Sequence, residues 1–296
     1  MTPSDWQADG HWLVFRPQAA HRSYDLRVFY RASVAISQLG KQRPVLLLVH
    51  GFPTSSWDWH AVWDQLAQHF DLLAADMLGF GCSDKPASFP YRIAIQADLQ
   101  EALLRHLGLD HCHILAHDYG DTVTQELMAR QLERGSSLLQ SVVLLNGGLF
   151  AETHRPLLTQ RLLASPLGPW LAAGITEKKL ARSLQRICQQ PLSEADIAAS
   201  WRFLSHRNGQ RVMPRLIGYM KERRQQRERW VGALTNWPHA LHLLNGSADP
   251  ISGAHMVARY REVVARDDIV ELADVGHYPQ LEAPQAIAQA VIDARL

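Results

Sequence analysis

The chain has 296 residues, with 30 lysines and arginines against 29 aspartates and glutamates, giving a formal net charge of +1. That length suits one large core plus an insertion, and nothing in the composition argues for a nucleic acid or a membrane surface as partner, so neither is expected. Three cysteines, Cys82, Cys112 and Cys188, lie far apart without metal-ligand spacing, which fits reduced incidental thiols rather than a disulfide framework.

The first residues, MTPSDWQADGHWLVF, lack a basic region followed by a long apolar one, and no run approaches the roughly 18 apolar residues of a membrane span. The expectation is a soluble cytoplasmic protein, monomeric or homodimeric. Trp12–Phe15 and Tyr24–Tyr30 predict an N-terminal hairpin or meander. Val45–Val49 is a continuous aliphatic run of the kind found in strands covered on both faces, and it ends in His50-Gly51-Phe52-Pro53. A strand over Asp71–Asp76 and a helix over Tyr91–Leu107 follow, the helix with apolar residues at helical spacing.

Ile114, Leu115 and Ala116 predict a further buried strand, Thr122–Leu132 a helix, and SVVLLNGG another strand ending at Asn146. From about Leu149 to Ala233 the alternation of strand and helix stops. Helices are expected there over Glu194–Leu204 and Pro214–Trp230. The core resumes with a strand ending near Asn245, a helix over Gly253–Ala265, the strand IVELAD and a last helix over Pro284–Ala294. The predicted architecture is α/β: a mostly parallel sheet with helices on both faces, formed by residues 1–148 and 234–296, and a helical cap over 149–233.

Between the strand and the helix near residue 118 stands Ala116-His117-Asp118-Tyr119-Gly120, the spacing of a nucleophile elbow with an aspartate at its centre. A serine needs a base before it attacks, whereas a carboxylate of intrinsic pKa about 4 is already anionic at neutral pH. It is a poor nucleophile towards esters and amides but suits displacement at an sp3 carbon bearing a strained oxygen or a halide. The product is an alkyl ester that water must break.

Asp249, in NGSADP, and His277, in DVGHYPQLEAP, follow two later strands, so the chain order is nucleophile, acid, histidine. His277, expected neutral when substrate enters, would take a proton from the attacking water, and Asp249 would hold its tautomer. The amides of Tyr119 and Phe52 are the expected oxyanion donors.

HGFPTSSWDW, DMLGFGCSDKP, HDYGD, DP and GHYPQLE resemble the α/β-hydrolase superfamily over nearly the whole chain, in its aspartate branch of epoxide hydrolases and haloalkane dehalogenases. With NGGLFAETHRPLL and RWVGAL, the sequence is similar to the mesoderm-specific transcript protein family. The resemblance implies the α/β-hydrolase fold, with neither metal nor organic cofactor. It also implies a small apolar substrate, an epoxide or a haloalkane, with water as second reactant. Some dehalogenases carry an acid where Asn146 stands, which favours Asp249 here.

Epoxide hydrolases supply a cap tyrosine to protonate the leaving oxygen. Tyr219 is the only tyrosine in the cap stretch, with His154 or His206 as substitutes for a second donor. Dehalogenases place tryptophan after the nucleophile and often asparagine after the HG pair, and here those positions hold Tyr119 and Phe52. Trp57 or Trp59 would have to compensate. His50, Trp57 and His154 are expected to line the substrate pocket. The run KERRQQRER, Lys221–Arg229, reads as a basic solvated helix face, or as a contact for a partner or the cap's own carboxylates. Epoxide hydrolysis is the leading expectation, haloalkane dehalogenation the second, and a catalytically weak partner-binding homologue the third.

Overall fold

The aliphatic runs become the centre of one sheet. The computed structural model describes residues 1–18 and 24–294. Eight strands, among the described residues, comprise β1 (His11–Phe15), β2 (Leu26–Ala32), β3 (Val45–Val49), β4 (Asp71–Ala75), β5 (Cys112–His117), β6 (Leu139–Leu145), β7 (Ala240–Gly246) and β8 (Ile269–Leu272). Their order is β1-β2-β4-β3-β5-β6-β7-β8. β2 pairs antiparallel with β1 and β4, and all other neighbours are parallel.

Every residue of β3 and β4 is buried, as a strand covered on both faces requires. Alternate residues serve opposite faces: Leu47, Val49 and Ile114 join one apolar cluster, while Leu46, Leu48 and Leu115 join the other. Because β3, β5, β6 and β7 run in one direction, their C-terminal ends share one sheet edge. Binding sites of open parallel sheets form at that edge.

The helix expected from Thr122 begins at Tyr119 and runs to Arg134. Gly120 permits this early start, since a Cβ there would lie 2.2 Å from the Val49 carbonyl oxygen. Between β6 and β7 the described elements are all helical. The single helix expected over Pro214–Trp230 is three: Met213–Leu216, Tyr219–Gln225 and Arg227–Thr235. The first break falls at Ile217-Gly218, where glycine is a poor helix residue.

Three arginines of the basic run are engaged within the protein, while Lys221, Arg224 and Glu228 stay exposed as a solvated face requires. Arg229 pairs with Glu126 and Glu133 of the helix Tyr119–Arg134, Arg227 pairs with Glu152, and Arg223 is buried. Trp230 Nε1 also donates to Glu126, at 2.8 Å. These contacts seat the inserted helices over the sheet edge. Among the described residues no helix is long and apolar enough to cross a membrane.

Candidate active site

Asp118 sits at the turn between β5 and the helix Tyr119–Arg134 with φ 48° and ψ −101°, a left-handed backbone that a non-glycine residue adopts at a cost of about 1–3 kcal/mol. The strain projects the side chain over the sheet edge and leaves the helix N-terminus, which favours negative charge, directly beneath it. The Phe52 amide donates to Asp118 Oδ2 at 3.1 Å. Gly51 makes this approach feasible, because a Cβ there would meet His117 Nδ1 at 2.6 Å and Asp118 Cβ at 3.1 Å. Tyr119's amide, the other expected donor, makes no hydrogen bond to the carboxylate.

Asp249 and His277 come together as their order in the chain predicts: His277 Nδ1 donates to Asp249 Oδ2 at 2.8 Å. The amide of Ile251 donates to Oδ1 at 2.7 Å. Asn146 Nδ2 donates to Oδ2 at 3.0 Å and also to the Gly246 carbonyl. Asn146 thus clamps the acid whose place it could not itself take. His277 is held from the other side as well. Its amide donates to the Ile187 carbonyl of the inserted helices, and its carbonyl accepts from His117 Nε2 at 2.7 Å.

Burial alone would strip the proton from His277, but the charge and hydrogen bond of Asp249, with Asp118 and Glu282 behind them, overcome it and raise its pKa to about 9. That direction favours the imidazolium, contrary to the expectation of a neutral imidazole at substrate entry. That expectation considered the base's task alone and left out the carboxylates around it.

Arg223 is the group that sequence reasoning missed. Its side chain is 3% exposed, its Nε donates to Thr122 Oγ1 at 2.7 Å, and its Nη2 donates to the Asp118 carbonyl at 3.2 Å and lies 3.9 Å from Asp118 Oδ1. Nη1 has no partner. A Cβ at Gly148 would fall 2.2 Å from that nitrogen, so the glycine makes room for the guanidinium.

The guanidinium carbon lies 4.6 Å from the centre of the Tyr219 ring. Tyr219 is fully buried, its ring is 5.0 Å from that of Tyr119 and 6.2 Å from that of Phe52, and its hydroxyl has no partner. Burial, reinforced by the charge of Asp118, pushes its pKa upward and keeps it an undissociated phenol. His154 shares this neighbourhood with both ring nitrogens unpartnered. Burial, then the charge of Arg223, lowers its pKa to about 3.

Two expected pocket residues serve elsewhere. His50 uses both nitrogens on backbone, Nε2 accepting from the Met77 amide at 3.0 Å and Nδ1 donating to the Gly51 carbonyl at 2.9 Å. It braces the loop and has nothing left for a substrate. Trp57 lies in the other apolar cluster, edge-on to Trp6 at 5.6 Å and stacked on His60 at 4.1 Å. Trp59 is fully buried in the same cluster. His206 is only partly buried, and burial followed by the charges of Lys85 and Arg207 lowers its pKa.

A cavity of about 360 Å³ reaches Phe52 and His277 from the inserted helices, with walls that include Leu163, Ile175, Leu184 and Met213. Its lining is predominantly apolar, which suits a small apolar molecule.

The neutral histidines beneath the site carry a stability consequence. Burial, then the charge of His277, holds His117 down at about 4, and His154 sits at about 3, both below the 6.5 of the unfolded chain. Their contribution is complete above pH 6.5 and is lost as pH falls towards the folded values. Lowering the pH from 7 to 5 is expected to cost roughly 2 kcal/mol for each. Urea unfolding at the two pH values measures it, and equal midpoints would refute the assignment.

A model of the alpha/beta hydrolase fold matches residues 44–284, and the chain belongs to that family as an α/β-fold hydrolase. Within it, the chain belongs with the mesoderm-specific transcript proteins. It is 39% identical over 297 residues to the mesoderm-specific transcript homolog protein of Bos taurus, across 96% of this chain and 85% of that protein. It is also 36% identical over 293 residues to the putative hydrolase LipZ of Mycobacterium tuberculosis, across 97% of this chain and 96% of that one. A putative epoxide hydrolase from Klebsiella pneumoniae has the same fold, with a TM-score of 0.77 at 19% identity over 99% of each chain.

Proposed function

We propose that this protein hydrolyses epoxides to vicinal diols through a covalent ester on Asp118, with residues 149–233 as the lid over a core of 1–148 and 234–296. The observation that carries this reading is a carboxylate, rather than a hydroxyl, at the strained turn. The Phe52 amide lies on one oxygen and the His277–Asp249 pair stands at the same sheet edge.

Asp118 attacks an epoxide carbon, the carbon–oxygen bond breaks, and the oxygen leaves with the electron pair. Tyr219 gives that oxygen its proton, and the guanidinium of Arg223 over the ring stabilises the phenolate. Esterification removes the charge of Asp118, one of the carboxylates that favour the imidazolium of His277. The imidazole is then free to give up that proton, which returns Tyr219 to the phenol. Neutral His277 now deprotonates water, hydroxide attacks the ester carbonyl, and the amides of Phe52 and Tyr119 receive the oxyanion. Collapse frees the diol. Of the three protons brought by His277 and water, two end on the diol and one returns to His277, so nothing is exchanged with solvent.

A haloalkane would release halide and leave one surplus proton to be expelled. Tyr119 and Phe52 offer no side-chain N–H for halide, and Trp57 is packed away, so the halide reading rests on the unpartnered Arg223 Nη1 alone.

The test is a His277→Gln variant exposed to epoxides and haloalkanes, followed by mass analysis of the peptide containing Asp118. An adduct that retains the epoxide oxygen is the expected result. An alkyl adduct with free halide selects the second activity, and no adduct from either panel shifts the reading to a partner-binding homologue.

A further inference from the structure

The net charge of +1 averages two unlike surfaces. Between Thr153 and Ser193 stand Arg155, Arg161, Lys178, Lys179, Arg182 and Arg186 against one acid, Glu177, so this segment carries +5 and the rest of the chain −4. Arg161, Lys178, Arg182 and Arg186 make no ion pair with any described residue, whereas Arg223 and Arg229 are engaged at the lid–core junction and Arg227 pairs with Glu152 within the lid.

The same segment holds the largest apolar exposures of the described chain. Trp170 is 83% exposed, Leu158 68% and Leu167 61%, with Leu162 and Leu171 beside them at 40% and 41%. They lie on and between two short helices, Leu158–Leu163 and Gly168–Ala173, that pack together. Single exposed leucines need no explanation, but four leucines around a tryptophan mark a surface that meets something apolar.

The cavity above Phe52 and His277 opens at this place. Leu162 and Leu171 are part of its wall, and Lys179, Arg182 and Arg186 line it from the helix Glu177–Ile187. Apolar patch, basic rim and cavity mouth therefore coincide. A bilayer of anionic phospholipid presents the complement of each: phosphates for the lysines and arginines, the headgroup boundary for tryptophan, and acyl chains for leucine and the open cavity.

We propose that the Leu158–Leu171 edge of the lid docks on an anionic phospholipid surface, so that an apolar substrate passes from the bilayer into the cavity without crossing water. The docking does not depend on the reaction assigned to Asp118. It is peripheral, through side chains of short helices, and involves no spanning segment.

The full chain is sedimented with vesicles of phosphatidylcholine alone and of phosphatidylcholine with about one-third phosphatidylglycerol. Binding at least about tenfold tighter to the anionic vesicles, and weakened by salt, is expected. A Trp170→Glu/Leu167→Glu variant should lose that binding while keeping its melting temperature, since both positions already face solvent. Arg161→Glu/Lys178→Glu tests the charge separately and should reduce binding to anionic vesicles without altering that to neutral ones. No vesicle binding, or binding indifferent to lipid charge or to the Trp170 variant, overturns the proposal. A dimer that dissociates in the Trp170 variant, without vesicle binding, assigns the surface to a second copy of the chain and also overturns it.

Discussion

An Asp118→Asn variant is expected to fold normally and to lose epoxide turnover by about 10⁴-fold or more, the scale on which removal of a covalent nucleophile acts. Asparagine is nearly isosteric, and it is among the few side chains that tolerate φ near +50°, so the turn at φ 48° survives the change. It can still accept from the Phe52 amide. What it lacks is the negative charge that attacks carbon. Thermal unfolding close to that of the unsubstituted protein, with no diol formed, separates loss of chemistry from loss of structure. A complementary single-turnover reaction in heavy-oxygen water should place the label in the Asp118 carboxylate, because hydroxide attacks the ester carbonyl rather than the substrate carbon. Retained turnover in Asp118→Asn, or diol that carries all the label, would rule out the covalent route.

The elbow was legible because it is local. Strand, small residue, acidic residue and small residue are neighbours in the chain, and the turn with positive φ falls at Asp118, as their spacing predicts. The pairing of His277 with Asp249 was legible for a topological reason: parallel strands deliver their C-terminal ends to one edge, so residues far apart in sequence arrive together. Apolar runs such as Val45–Val49 and Ile114–Ala116 identified those strands without any knowledge of packing.

Arg223 shows where such reading stops. In KERRQQRER every position is polar, so periodicity gives no buried face, and the expectation of a solvated run missed the arginine that turns inward. Two signals were available. Arg223 lies four residues after Tyr219, which puts both on one side of a helix, and Gly148 lacks the Cβ that would otherwise fall on the guanidinium. His50 and Trp57 erred in the opposite sense. Each adjoins the HGFP loop in sequence, yet the chain turns there and sends the tryptophan to the other face of the sheet. The upward push on the His277 pKa was hidden because it depends on distances to Asp249, Asp118 and Glu282, which no single stretch of sequence contains.

Arg223→Met is expected to slow ester formation by about 10²-fold, the usual scale of a lost electrostatic contact to developing charge. Methionine keeps the length and apolar stem but removes the cation from the Tyr219 ring and from the vicinity of Asp118 Oδ1, 3.9 Å away. The phenol must then release its proton in an apolar setting without a countercharge. Burial and the charge of Asp118 already resist that ionisation, and Arg223 is the group that opposes them. Measured in the His277→Gln background, where the ester accumulates, the rate of adduct formation reports this first step alone. Arg223→Lys should recover only part of it, since an ammonium cannot bond Thr122 Oγ1 and the Asp118 carbonyl in the same fork while lying over the ring. Stability should also fall, by about 3 kcal/mol in the methionine variant, because a buried carboxylate loses its neighbouring cation. An unchanged adduct rate together with that loss of stability would make Arg223 a structural brace for the elbow, and Tyr219 would then act without electrostatic help.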